Sequence, residues 1–276
     1  MSCDHETVME LQNGAKQIRR DIVNMIYTIQ SGHPGGSLSI VEILLALYKK
    51  KMRVDPKNPL WADRDRFVLS KGHCAPALYA VLAEMGYYPK DLLWNSFRRI
   101  DSKLQGHPDM HKTPGIDMTT GSLGIGLSAG CGMALGGRIQ GKDFKVYVMI
   151  GDGELNEGQI WEAAKTAAHY KLDNMTAMVD LNGFQNDGDT GTEMSMEPVA
   201  DKWRSFGWNV LEADGHDIEQ VLRAFDSVPE GNGKPTVILF HTVKCKGVSF
   251  MEQDKIKYHG ASPNDEQLRQ AMSELQ

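Results

Sequence analysis

The amino-acid sequence predicts an α/β fold with a mostly parallel central sheet and helices on both faces. Apolar runs alternate with helical segments from residue 144 to residue 240, as in strands joined by crossover helices. Polar, glycine-containing loops follow three of these runs, after Ile150, Leu181 and Phe240. Because sheets of this kind bind ligands at the carboxyl ends of their strands, a functional site is expected at that edge.

The first half of the chain contains mostly predicted helices. Apolar residues recur at helical spacing from Thr7 to Ile29, and a second helix is expected from about Leu38 to Lys51 with Ser37 as its N-cap. The sequence FVLS at 67–70 is typical of a short strand. Further helices are predicted at 75–85 and 126–139.

The second half contains the regular alternation. Strands are predicted at 144–150, 175–181, 208–213 and 235–240, and helices at 156–170, 199–206 and 217–225. No internal repeat, low-complexity tract or linker divides the 276 residues. We therefore expect a single domain spanning 1–276.

Composition excludes several classes of function. With 41% hydrophobic residues the chain can bury a large core, and a formal net charge of -6 argues against nucleic acid or an anionic membrane as the main partner. The four cysteines are far apart and form no C-x-x-C motif, which favours reduced thiols. The N-terminus lacks signal-peptide features, and the stretch SIVEILLALY is too short to span a membrane. A cytoplasmic location is expected.

Carboxylate and amide groups follow two of the predicted strands. Asp152 lies in GDG after one strand, and Asn182 follows the next strand thirty residues later. Hard oxygen ligands of this kind suit Mg²⁺, whose remaining positions are usually filled by water and phosphate. Gly151 and Gly153 allow close approach of an anion at a helix N-terminus. Taken alone, GDG is also a common turn, and the acids after it also suit a helix dipole.

Several histidines occur beside glycine in predicted loops. His33, His73 and His107 each follow a glycine, and His259 precedes one, which suggests polar groups held close to a ligand. A single loop histidine is usually a solvated surface residue. His216, in DGHDIE, is interpreted as part of a turn and N-cap before a helix.

Eight sequence blocks follow one another along the chain: SGHPGGSLSIVEIL, DRDRFVLSKGHCAPALYAVL, KLQGHPD, TGSLGIGLSAGCGMAL, GDGELNEGQIWEAA, LNGFQNDG, DGHD and YHGASP. Together, and in this order, they resemble the N-terminal, diphosphate-binding part of the transketolase family. The resemblance covers about residue 17 to the end of the chain and implies the thiamine diphosphate-binding fold, in its diphosphate-binding (PP-type) domain. It also indicates the N-terminal subunit of a split transketolase.

The resemblance implies thiamine diphosphate and Mg²⁺ as cofactors. Ca²⁺ or Mn²⁺ can substitute for Mg²⁺. The implied metal ligands are the side chains of Asp152 and Asn182 and the backbone carbonyl of Phe184. The implied cofactor-binding residues are His73, Gly121, Ser122, Leu123, Gly151, Gly153, Glu154, Asn182 and His259. The implied catalytic residues are His33, His73, His107, His259 and, at a subunit interface, Glu157.

Two positions depart from the family pattern. Proline is frequent in the family where Ser122 stands, and an apolar residue usually occupies the position of Asn186 and helps to wall the cofactor. The second departure affects the packing expected around the cofactor.

The implied reaction is transfer of a two-carbon ketol unit from a ketose donor to an aldose acceptor. The family's pyrimidine-activating glutamate lies in the half that this sequence does not contain. We therefore expect activity only with a C-terminal transketolase subunit, as an α2β2 assembly acting on sugar phosphates or related sugars. Alternatives are a subunit of a 1-deoxyxylulose-5-phosphate synthase-like enzyme, the alpha subunit of a 2-oxo acid dehydrogenase, or a non-catalytic cofactor-binding protein.

Overall fold

A parallel sheet of five strands forms the centre of the molecule. The structure is a computed structural model that describes residues 5–276, so Cys3 lies outside the described part. In chain order the strands are β1 Arg66–Leu69, β2 Val146–Gly151, β3 Met175–Leu181, β4 Asn209–Asp214 and β5 Thr236–His241. They pair in the order β1-β2-β3-β5-β4, and every pair is parallel. The predicted parallel sheet is confirmed.

Twelve α-helices accompany this sheet within residues 5–276. They are α1 His5–Ile29, α2 Pro34–Leu38, α3 Val41–Ala46, α4 Ala75–Glu84, α5 Leu92–Asn95, α6 Ile125–Ile139, α7 Gly158–His169, α8 Thr190–Glu193, α9 Val199–Ser205, α10 Ile218–Asp226, α11 Ser249–Gln253 and α12 Asp265–Glu274. A π-helical turn at Leu47–Lys51 extends α3, and a 3₁₀ turn at Gly153–Asn156 precedes α7.

The two faces of the sheet pack against different helices because successive strand residues point to opposite sides. On β2, Tyr147 and Met149 belong to a core shared with α1, α3 and α4. Val146, Val148 and Ile150 belong to a second core shared with α6 and α7. Both sides of the strand are buried, which explains its continuous apolar sequence. Helices therefore cover both faces, as predicted.

The prediction of one helix from Leu38 to Lys51 capped by Ser37 is wrong. Helix α2 already begins at Pro34, a favoured first helical residue, and ends at Leu38 before α3 starts. The Ser37 hydroxyl donates to the His33 carbonyl at 2.6 Å, four residues back, so it lies inside a helix and caps none.

The loops at the carboxyl edge of the sheet lie side by side. Gly151 at the end of β2 pairs with Asp180 in β3, and Asp180 pairs in turn with Phe240 in β5. The segments that follow β1, β2, β3 and β5 are thereby brought to one edge, and they carry the residues of the candidate site.

Two further expectations concern membranes and thiols. Within residues 5–276, no helix combines the length and the apolar character needed to cross a bilayer. Cys74, Cys131 and Cys245 are buried free thiols.

Candidate functional site

Asp152 and Asn182 lie in one cavity at the carboxyl edge of the sheet. The Asp152 carboxylate accepts hydrogen bonds from the backbone N–H groups of Gly153 at 2.8 Å and Gly183 at 2.6 Å. Asn182 donates its amide nitrogen to Asp180 at 2.7 Å. This bond orients the amide, and the Asn182 side-chain oxygen accepts from the Phe184 N–H at 3.1 Å. An amide oxygen has two lone pairs, so one remains for a further partner.

The Asp152 carboxylate has an environment that favours a bound cation. Burial, and next the charge of Asp180, raise the pKa of Asp152 to about 7, although two backbone N–H groups and Lys71 act in the opposite direction. Residues 5–276 contain no cluster of three or more His, Cys, Asp or Glu side chains suited to a metal. The donors here are instead a carboxylate, an amide oxygen and nearby backbone carbonyls, which suit Mg²⁺ completed by phosphate and water.

The cavity has a volume of about 560 Å³ and collects most of the predicted site residues. Gly153 permits the close approach of Gln185, because a Cβ atom at residue 153 would lie 2.8 Å from the Cβ of Gln185. Ser122 is exposed and lies outside the lining, between two residues that belong to it. The predicted residues that line the cavity are His73, Gly121, Leu123, Gly151, Asp152, Gly153, Glu154, Glu157, Asn182, Phe184 and His259.

The four histidines expected around the substrate form one cluster. The ring of His33 lies 5.4 Å from that of His73, 5.5 Å from that of His259 and 6.3 Å from that of His107. His73 and His259 stack at 5.3 Å. His33 and His107 are not in the cavity lining, but these ring contacts place them directly beside it.

All four imidazoles are held in the neutral form. Burial, followed by the nearby Arg98 guanidinium, lowers the pKa of His33 to about 4. Burial, followed by the Lys244 ammonium, lowers the pKa of His259 to about 4. The pKa values of His73 and His107 are also lowered, chiefly by burial. At neutral pH the cluster therefore offers neutral rings that can donate or accept protons.

Two cationic residues determine which nitrogen carries the proton. Arg98 lies 3.4 Å from His33 Nδ1, and the Lys244 ammonium lies 3.1 Å from His259 Nδ1. A guanidinium and an ammonium can only donate, so both Nδ1 atoms act as acceptors. The neutral rings of His33 and His259 therefore carry their protons on Nε2.

A buried ion pair between Lys71 and Asp180 lies at the wall of the cavity. The two charges are 2.5 Å apart, and Lys71 also lines the cavity. Burial alone would raise the pKa of Asp180, but Lys71 and hydrogen bonds from Thr242 and Ser39 outweigh it and hold that pKa below its ordinary value. Since Asp180 also accepts from Asn182, the pair fixes the orientation of that amide.

Sequence reasoning missed Lys71, Arg98, Asp180 and Lys244. Lys71 and Asp180 lie in the motifs KGH and VDLN, from which only His73 and Asn182 were predicted as site residues. Lys244 follows β5 in TVKCKG, at a strand end where a cation could have been considered. Arg98 lies in a loop between helices and carries no comparable signal.

Glu154 and Glu157 have different surroundings. The Glu154 carboxylate is buried and accepts from the Ser70 hydroxyl and from the N–H groups of Gly124 at 2.8 Å and Gly151 at 3.0 Å. Its oxygens therefore tie the loop before α6 to the end of β2. Glu157 is exposed at the N-terminus of α7, on the rim of the cavity. Asn186 also lines the cavity and donates to Asp187 at 2.8 Å.

Comparisons with known proteins identify the family of this chain. The family model of the transketolase thiamine diphosphate binding domain matches residues 11–275. A 6-deoxy-6-sulfo-D-fructose transketolase subunit of Clostridium sp. is 46% identical over 271 residues, which cover 98% of each chain. An apulose-4-phosphate transketolase subunit of Phocaeicola vulgatus is 43% identical over 267 residues, covering 97% of this chain and 93% of that protein.

A solved structure shares the fold. The transketolase of Pichia stipitis in complex with sedoheptulose 7-phosphate matches with a TM-score of 0.90 and 33% identity, over 96% of this chain and 40% of that one. The fold and the family model thus define a thiamine diphosphate-binding domain. The chain belongs to the transketolase family. It matches separate transketolase subunits over almost their whole length, and so corresponds to the N-terminal subunit of a split transketolase.

Proposed function

We propose that this chain binds thiamine diphosphate through a divalent cation and, with a C-terminal transketolase subunit, transfers a two-carbon ketol unit from a ketose to an aldose. The observation that carries the proposal is the buried Asp152 carboxylate, which faces the cavity beside Asn182 with its pKa raised to about 7. Such a group gains most from a bound cation, because the cation removes the cost of a buried negative charge.

The cation is proposed to be Mg²⁺, for which Ca²⁺ or Mn²⁺ can substitute. Asp152 and Asn182 would hold it by side-chain oxygens and Phe184 by its backbone carbonyl. The support for this set is chemical: all three offer hard oxygen ligands, and all three line the same cavity.

The remaining lining residues are proposed to hold the organic cofactor. Gly151 and Gly153 let the diphosphate approach the backbone, and His73 and His259 lie along it. Lys244 donates to the Gln185 carbonyl at 2.9 Å and to His259, which leaves its third proton for a phosphate oxygen. Gly121, Ser122 and Leu123 would face the pyrimidine by their backbone, and Glu154 keeps that loop in place.

Proton handling is proposed for the histidine cluster. When bound, thiamine diphosphate supplies the electron sink that permits a carbon–carbon bond next to a carbonyl to break. His33 and His259 present Nε2–H groups to substrate oxygens, while His73 and His107 offer further neutral nitrogens. Glu157, on the rim, is proposed to contact a neighbouring subunit.

The substrate and the assembly are proposals as well. The relatives named above act on a sulfonated sugar and on apulose 4-phosphate, which supports an anionic ketose as the donor. Ketopentose phosphates belong to this class. The proposed assembly is α2β2, and a cytoplasmic location stays a prediction from the sequence. A 1-deoxyxylulose-5-phosphate synthase-like activity or a non-catalytic role would be the alternatives.

The test is a reconstitution assay. The purified chain is supplied with a ketose phosphate, an aldose acceptor, thiamine diphosphate and Mg²⁺, with and without the co-expressed C-terminal subunit. We expect turnover only when both subunits are present. Strong turnover by this chain alone contradicts the split site. Release of carbon dioxide from pyruvate by the assembled enzyme favours the synthase-like or the 2-oxo acid dehydrogenase alternative. Cofactor binding without turnover favours the non-catalytic one.

A further inference from the structure

Arg19, Glu42 and His216 form a buried polar chain outside the cavity. Arg19 Nη2 lies 2.7 Å from Glu42 Oε2, and the same oxygen lies 3.2 Å from His216 Nδ1. Arg19 is 5% exposed and Glu42 7% exposed, and none of the three lines the cavity. Buried ion pairs contribute little net stability, because desolvation offsets their attraction. Their presence therefore points to a role other than stability.

His216 holds the backbone that follows β5. The N–H of Val243 donates to His216 Nε2 at 2.8 Å. A backbone amide can only donate, so Nε2 is unprotonated and the ring carries its proton on Nδ1, where Glu42 accepts it. The interpretation of His216 as part of a turn is therefore incomplete. Asp217 caps α10, and the His216 ring bridges Glu42 and Val243.

Arg19 holds the other end of the same segment. Its Nε atom donates to the carbonyl of Lys246 at 2.9 Å, and its Nη2 atom donates to the carbonyl of Leu38 at 3.3 Å. Through Glu42, the two ends of the segment 243–246 are thus connected by one continuous set of hydrogen bonds. Helix α1, helix α3 and the loop before α10 all contribute to it.

The segment between these two anchors contains an unfavourable backbone conformation. Cys245 has a φ of 70°, in the left-handed region that residues with a side chain seldom occupy. Such a conformation persists only where the surroundings enforce it. The residue before it is Lys244, which is buried and lines the cavity with its ammonium group directed at Gln185 and His259.

We infer that Arg19, Glu42 and His216 are positioning residues that hold the segment 243–246 in this conformation and thereby direct Lys244 into the cofactor cavity. The inference rests on the proposed function, because the cavity is taken to be the cofactor site. It gives the DGHD block a role that is separate from that of the histidine cluster.

The test compares two substitutions of one residue. His216→Gln can keep an acceptor near the position of Nε2, whereas His216→Asn is too short to reach Val243 and keeps only a donor near Glu42. His241→Asn, at an exposed histidine at the end of β5, serves as the control. Hydrogen exchange of residues 242–247 is measured in the cofactor-free chain, and calorimetry measures binding of thiamine diphosphate with Mg²⁺.

In His216→Asn we expect exchange of this segment to be roughly tenfold faster and cofactor affinity roughly tenfold weaker, as for loss of one backbone hydrogen bond. His216→Gln should restore most of both, and His241→Asn should change neither.

Unchanged exchange in His216→Asn overturns the inference, as does faster exchange with unchanged affinity. Equal acceleration throughout the chain would show a merely structural role. Failure of the wild-type chain to bind the cofactor contradicts the proposed function instead, and the exchange results still decide whether His216 holds the segment.

Discussion

At the scale of single residues, the charge of the buried Asp152 carboxylate is coupled to the stability of the chain. Its pKa is about 7 in the folded chain, whereas an aspartate in an unfolded chain has a pKa of about 3.9. The folded state without cofactor therefore holds this proton more tightly than the unfolded state. The resulting stabilisation is fully present below pH ~4 and is lost as the pH rises to about 7.

Asp152→Asn tests this coupling, because an amide does not titrate. We expect the free energy of unfolding of the wild-type chain, relative to that of the variant, to fall by roughly 2–3 kcal/mol between pH 5 and pH 8, at about 1.4 kcal/mol per pKa unit. Urea unfolding of the cofactor-free chain at both pH values measures it. The exposed Asp201→Asn provides the control. A difference between wild type and Asp152→Asn that does not change with pH would contradict the assigned environment.

The residues of the site were predictable where their position followed from the strand order. Asp152 and Asn182 come directly after strands, and parallel strands place such residues at one edge. Arg98 was not predictable, because its contact with His33 joins a loop between helices to a residue 65 positions away. The buried partners of Asp180 were likewise not predictable, since they come from separate parts of the chain.

At the scale of elements, two glycines of helix α6 have different surroundings. A Cβ atom at Gly130 would lie 2.6 Å from Val148 in β2, whereas a Cβ atom at Gly132 would meet nothing within 4 Å. Gly130 therefore permits close packing of the helix on the sheet. Gly132 has no such contact among residues 5–276 and only lowers helix propensity.

The matched substitutions Gly130→Ala and Gly132→Ala test this distinction. We expect Gly130→Ala to destabilise the chain by about 1–2 kcal/mol through overpacking. Gly132→Ala should stabilise it by about 0.5–1 kcal/mol through helix propensity. Denaturant unfolding of the purified chain measures both. Similar effects of the two substitutions on the free energy of unfolding would contradict the close packing of α6 on β2.

Helix prediction succeeded for long amphipathic segments and failed for short ones. The apolar spacing of α1 follows the buried side of the helix over 25 residues. Helices α5, α8 and α11 have four or five residues, too few for a period to be recognised. Helix α12 was also missed, although Asn264 and Gln267 form a capping box that the sequence displays. The boundary between α2 and α3 depends on tertiary packing.

At the scale of the whole molecule, the chain is proposed to provide one side of a composite site. The proposed cation ligands, the glycines proposed to face the phosphates and the four neutral histidines all lie at one edge of the sheet, in loops that the strand order brings together. The chain spans about 40% of the solved transketolase that it matches, and nearly all of the separate subunits. These matches support the proposal that a partner subunit completes the cofactor site.

The most direct measurement is calorimetric titration of thiamine diphosphate into the chain, alone and assembled with the C-terminal subunit. It is made with Mg²⁺, with a chelator in place of Mg²⁺, and with Asp152→Ala. The account predicts binding that requires the cation and is abolished in Asp152→Ala, with higher affinity after assembly. Equal affinity with the chelator, or unchanged binding by Asp152→Ala, would contradict the assignment of Asp152 and Asn182 to a metal that holds the diphosphate.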